Sequence, residues 1–147
     1  MVQLTELEEQ ELREIKTYLH QHPETSMEEY ETTKFIKEKL QALGIDIIDL
    51  GTRTGVVGIL RTGKEGPVVG LRADIDAIRC VEKANVEAKS LVEGVMHACG
   101  HDFHTTSLLG AAKLLTAHKD KLKGDVVFLF QPAEETTSGA AYLIEHG

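Results

Sequence analysis

Residues 45–72 read IDIIDLGTRTGVVGILRTGKEGPVVGLR, in which short β-branched runs alternate with segments rich in turn formers. The runs are IDIIDL at 45–50, VVGIL at 56–60 and VVGLR at 68–72, joined through TRTG and TGKEG. Valine and isoleucine pack well on a pleated surface, whereas Gly, Thr and Lys-Glu-Gly clusters bend the chain. The pattern predicts strands with tight connections. On the N-terminal side, Leu4, Leu7, Leu12, Ile15, Tyr18 and Leu19 recur at roughly helical spacing, and Thr5 with Glu8 matches a capping box. This helix should stop near His22, because Pro23 disfavours helical geometry in the residue before it. A second helix is predicted from Ser26, where Ser26 and Glu29 form another capping box ahead of Tyr30, Phe35, Ile36, Leu40 and Leu43, with Gly44 as its stop.

On the C-terminal side a helix fits Thr105 to His118, with Leu108, Ala111, Ala112 and Leu115 on one face. VVFLF at 126–130 reads as a buried strand ended by Pro132, and SGAAYLIEHG as one more short helix. Strands separated by helices imply an α/β fold with a mixed, partly parallel sheet flanked by helices. No repeat, low-complexity tract or internal boundary divides residues 1–147. The stretch Arg79 to Val95 is the least patterned and reads as a long excursion, the kind of loop that often carries function.

The composition bounds the function. A chain of 147 residues with 41% hydrophobic and 27% charged residues suits one soluble domain or a piece of one. With 16 basic against 24 acidic residues the net charge is −8, and no basic block offers a surface for nucleic acid or anionic lipid. Neither partner is expected. MVQLTELEEQ lacks the basic start and apolar core of a signal peptide, and no apolar run is long enough to span a bilayer, so a cytoplasmic location is expected. In that reducing compartment Cys80 and Cys99 are expected as buried, catalytic or metal-bound thiols, not as a disulfide.

The strongest local signal is HACGHDFH, which holds His97, Cys99, His101, Asp102 and His104. Cys99 and His101 are separated only by Gly100, so a sharp bend there lets both approach one ion. A thiolate with an imidazole favours a borderline ion such as Zn²⁺, and nearby carboxylates also suit Mn²⁺. Two other readings stand beside it: a buried structural cysteine with surface histidines, and a nucleophilic thiol paired with a histidine. Glu134 and Glu135 follow the apolar strand directly. One could bind a metal while the other takes a proton from water, although a bare acidic pair is by itself usually a solvated turn. Arg72, Asp74 and Asp76 close the strand VVGLR, where an aspartate could ligate a metal or orient a ligating histidine, a reading that stands level with that of a plain polar strand end. These clusters all fall after a strand or before a helix, the rim where ligands bind in open α/β sheets. His20, His22, His118 and His146 sit on polar helix faces or ends and are read as solvated.

GLRADIDAI, GVMHACGHDFHTTSLLGAAKLL and FLFQPAEE closely resemble the M20 metallopeptidase family, in its aminoacylase-like branch of hippurate hydrolases, N-acetyl-diaminopimelate deacetylases and plant auxin-conjugate hydrolases. The resemblance implies a zinc-exopeptidase-like catalytic domain with a paired divalent metal site, Zn²⁺ or Mn²⁺, that hydrolyses the amide bond of an N-acyl amino acid. It implies Cys99, His101 and Glu135 as metal ligands, Glu134 as general base and Asp76 as a supporting carboxylate. Family members are considerably longer, so residues 1–147 are expected to form the N-terminal portion of the catalytic domain. The lid and dimerisation domain and further histidine ligands would lie outside it. Little activity is therefore expected of the 147 residues alone, and a homodimer only of the full-length protein. A local departure is Arg79-Cys80, where members usually carry Pro and an aliphatic residue. The competing reading, from another class, is a non-catalytic metal-binding or interaction module.

Overall fold

The computed structural model describes residues 4–147. It contains helix α1 at Glu6–Gln21, α2 at Tyr30–Ala42, strands β1 at Asp46–Ile48, β2 at Val56–Leu60 and β3 at Val69–Asp74. Helix α3 at His101–Ala117, a 3₁₀ turn at Lys119–Lys121, strand β4 at Val126–Gln131 and helix α4 at Gly139–His146 follow. The strands form one sheet in the order β1-β2-β4-β3, with β3 and β4 parallel and the other pairs antiparallel. The mixed, partly parallel sheet flanked by helices is the architecture the sequence implies.

The central strand β4 explains the core. Val126, Phe128 and Phe130 alternate onto one face and are buried, while Val127 and Leu129 are only partly covered on the other. They pack with Val56, Leu60, Ala73 and Ile75 of the sheet region against Ile36 and Leu40 of α2 and Leu108, Leu109 and Ala112 of α3. Helix α1 adds Ile15 and Leu19 to the same core. Its start is the predicted capping box: Thr5 Oγ1 accepts from the Glu8 N–H, and the Glu8 carboxylate accepts from the Thr5 N–H. Its last residue is Gln21, with His22 as C-cap ahead of Pro23. Among the described residues no helix is long and apolar enough to cross a membrane.

Two helix starts differ from the sequence reading. Helix α2 begins at Tyr30, not at Ser26, and the Ser26–Glu29 capping box does not form. Glu24 instead receives the N–H groups of Glu31 and Thr32, while the Ser26 hydroxyl donates to Asp76 across the fold. Helix α3 begins one turn before Thr105, at His101. Gly100 supplies the entry at φ 82°, a left-handed conformation with little cost only for glycine. His101, Asp102 and His104 therefore ride on the first turn of a helix.

Residues 79–95 form no helix or strand, as expected for an excursion. They are tied at their base by the pairing of Ile78 with Met96 and held to α1 by the Leu91 N–H donating to the Gln21 carbonyl. The parallel register pairs Asp74 with Gln131. The chain leaving β3, the chain leaving β4 and the start of α3 thus meet at one rim of the sheet.

Candidate metal centre

His101 organises that rim. Its Nδ1 lies 2.8 Å from the Asp76 carbonyl oxygen and 3.3 Å from Asp76 Oδ1, which fixes the ring from behind. Its Nε2 faces Asp74 Oδ2 at 3.6 Å, Glu134 Oε2 at 3.7 Å and Glu135 Oε1 at 3.7 Å. Those separations are too long for hydrogen bonds. Donor atoms of His101, Glu134 and Glu135 lie within 4.8 Å of one another, and a second group of Asp74, His101 and His104 shares the same histidine. Glu135 Oε1 is buried without a hydrogen-bond partner among the described residues. An imidazole nitrogen and carboxylate oxygens that converge without bonding to each other suit a divalent cation.

Asp76 ties the rim together. It accepts from the Ser26 hydroxyl and from the N–H groups of Glu134 and Glu135. Burial would raise its pKa, but His101, Ser26 and those two amides hold it at about 2. For His101, burial would lower the pKa, and Asp76 with Asp74 instead lifts it to about 9. Cys99 lies beside Glu135. That carboxylate, then burial, then the charges of Glu134 and Asp76 push its thiol up to about 11. A nucleophilic cysteine needs the opposite shift, so the thiol-hydrolase reading loses support, whereas a bound cation would favour the thiolate.

Residues 70–147 match the model for peptidase family M20/M25/M40. The chain belongs to the M20 family. It is 51% identical over 146 residues to the N-acetyl-L-cysteine deacetylase of Bacillus subtilis (strain 168), covering 99% of this chain and 35% of that protein. It is 44% identical over 137 residues to the hippurate hydrolase of Campylobacter jejuni, covering 93% of this chain and 35% of that one. The crystal structure of Bacillus subtilis YXEP, described as a dinuclear metal binding peptidase from the M20 family, superposes with a TM-score of 0.95 at 44% identity. That match covers 98% of this chain and 40% of YXEP. The chain thus spans about 35% of the length of these M20 relatives.

Within this M20 chain the rim gathers Asp74, Asp76, His101, Glu134 and Glu135, with Cys99 exposed beside Glu135. His104 is outermost, its Nδ1 2.6 Å from Asp74 Oδ1, and Arg72 bonds both Asp74 and Gln131. His97 belongs to neither donor group: it is buried, burial lowers its pKa to about 4, and both ring nitrogens lack partners among the described residues. His20 corrects the sequence reading. It is buried, not solvated, with Nδ1 2.7 Å from Asp102 Oδ2 and Nε2 3.1 Å from Glu82 Oε1. The cause is tertiary, since its partners are 82 and 62 residues away. Ser26 and Glu29 were read only as a cap, and no local pattern marks their long-range contacts. A groove between α1 and α3, lined by Leu12, Lys16, Phe103 and Leu114, shares none of the converging donors.

Proposed function

We propose that this chain carries part of the active site of a metal-dependent amidohydrolase that cleaves the amide bond of N-acyl amino acids. The observation that supports it best is the convergence of three carboxylates on His101 Nε2 while Nδ1 is held by Asp76. His101, Glu135 and Cys99 are the residues that would hold divalent ions, two in the complete site, with Zn²⁺ and Mn²⁺ both compatible with the donor set. When bound, such ions supply Lewis acidity and water activation near neutral pH.

The two glutamates divide by environment. The Glu135 side chain is 22% exposed and keeps one buried oxygen without a partner among the described residues, as a ligand would; the Glu134 side chain is 43% exposed and faces the open rim. Glu134 therefore suits the general base, accepting a proton from the attacking water and returning it to the leaving amine. Asp76 orients His101 and both glutamates from behind the rim. The names of the relatives, a deacetylase and a hippurate hydrolase, support an N-acyl amino acid as the substrate class.

The coverage of relatives supports reading residues 1–147 as one portion of a larger catalytic domain, with the lid, the dimer contact and the remaining ligands outside it. The test is a panel of N-acetyl and N-benzoyl amino acids offered to the full-length protein. Chelator-sensitive release of free amino acid is expected, and turnover that survives chelation but is lost on alkylation of Cys99 would overturn the reading.

A further inference from the structure

Consecutive amides of the loop that carries Glu134 and Glu135 each donate to a buried carboxyl. The Ala133 N–H donates to Glu29 Oε1 at 2.8 Å, that of Glu134 to Asp76 Oδ1 at 3.0 Å, and that of Glu135 to Asp76 Oδ2 at 3.1 Å. Asp76 belongs to the rim already described. Glu29 does not: it comes from the turn ahead of α2, 104 residues from its partner.

Glu29 is an unusual residue to find with 0% exposure, because burying a carboxyl is unfavourable unless something inside the protein needs it. It holds the N-cap position of α2, yet its side chain caps no amide there. Its strongest hydrogen bond is the one from the Ala133 amide, ahead of its own amide, the Thr54 hydroxyl and the Met27 amide nearby. Ala133 explains the expense. It is fully buried and sits at φ 50°, a left-handed conformation that residues with a Cβ hold only when their surroundings impose it. Relaxing that residue to an ordinary φ would swing the next two peptides and take the Glu134 and Glu135 amides off Asp76.

We propose that Glu29 is a positioning residue: by accepting the Ala133 N–H it locks this left-handed residue and thereby aims Glu134 and Glu135 into the rim. What the two glutamates do there rests on the metallohydrolase reading; the lock itself does not. The required chemistry is a hydrogen-bond acceptor of glutamate length, which glutamine preserves and leucine removes at similar volume.

The test compares the wild-type full-length protein with its Glu29→Gln and Glu29→Leu variants by two readouts, Co²⁺ affinity from visible absorption and amide hydrogen exchange resolved at 133–135. Glu29→Leu is expected to weaken Co²⁺ binding about tenfold or more and to speed exchange at 133–135 while β2 and β4 stay protected, with Glu29→Gln close to wild type in both. Leucine matching wild type in both readouts, or glutamine failing as leucine does, would overturn the proposal. Should the leucine variant not fold, glutamine decides by the same criterion, near-native exchange at 133–135 supporting the lock and fast exchange refuting it. Full-length wild type that takes up no Co²⁺ would count against the metal reading, and exchange at 133–135 would then decide the lock alone.

Discussion

The two ring nitrogens of His101 have different partners, and the chemistry of the rim follows from that division. Nδ1 is satisfied by Asp76, so Nε2 is the atom left facing the rim carboxylates and the one that would meet a metal, the orientation that a backing carboxylate and carbonyl enforce on ligating histidines. In the metal-free chain the folded-state pKa of about 9 lies above the ordinary 6.5. The pairing therefore stabilises the fold fully below the unfolded value and is lost as pH rises through the folded one. Urea unfolding with EDTA present should show wild type losing more stability than His101→Gln between about pH 6 and pH 9.5, whereas parallel curves would remove His101 from this pairing. Asp76 works in the opposite sense. Its depressed value of about 2 gives stability that is present above the ordinary 3.8 and lost only as pH falls through the folded value. Cation uptake must displace a proton from His101, so Co²⁺ affinity should strengthen as pH is raised towards about 9. Cys99→Ala should lower metal content while leaving the fold intact, since that side chain is exposed.

At the scale of elements, the site is a meeting of chain ends: the exits of β3 and β4 and the entry of α3. The loop after β4 is closed by Gly139, whose N–H donates to the Ala133 carbonyl, and a Cβ built at Gly139 would overlap the Pro132 carbonyl. Gly139→Ala should therefore cost about 1–3 kcal/mol in chemical denaturation, and an unchanged midpoint would show that the loop yields freely. The strands were legible from sequence because β-branched alternation and turn formers are local signals. The box at Thr5 and Glu8 was legible for the same reason: donor and acceptor sit three residues apart. The start of α3 was not, because Gly-His-Asp-Phe-His carries no apolar period and the helical state of His101 depends on the left-handed Gly100. The false box at Ser26 shows the converse. Its motif was present, but Ser26 is drawn to Asp76, and Glu24 serves the first turn of α2. The ligand candidates were named from spacing and family resemblance together, while the burial of His20 and Glu29 depends on partners far along the chain.

For the whole molecule, the sheet and its helices build one rim, and the M20 relatives extend to roughly three times this length. The core centred on Phe128 and Phe130, both fully buried, holds β4 and hence the exit to Glu134 and Glu135. Phe128→Ala should destabilise the chain by about 3–5 kcal/mol and loosen the rim with it, measurable as a lower denaturation midpoint. On the proposal that further ligands come from a larger catalytic domain, residues 1–147 alone should bind metal weakly and turn over little; robust amide hydrolysis by them would contradict that proposal. The division of labour between the adjacent glutamates is most directly tested by kcat/KM and metal content measured together on Glu134→Gln and Glu135→Gln in the full-length protein. Glu134→Gln should lose about 10²–10⁴ in kcat/KM with its metal retained, and Glu135→Gln should lose metal. Near-normal turnover by Glu134→Gln, or a full metal complement in Glu135→Gln, would contradict the account.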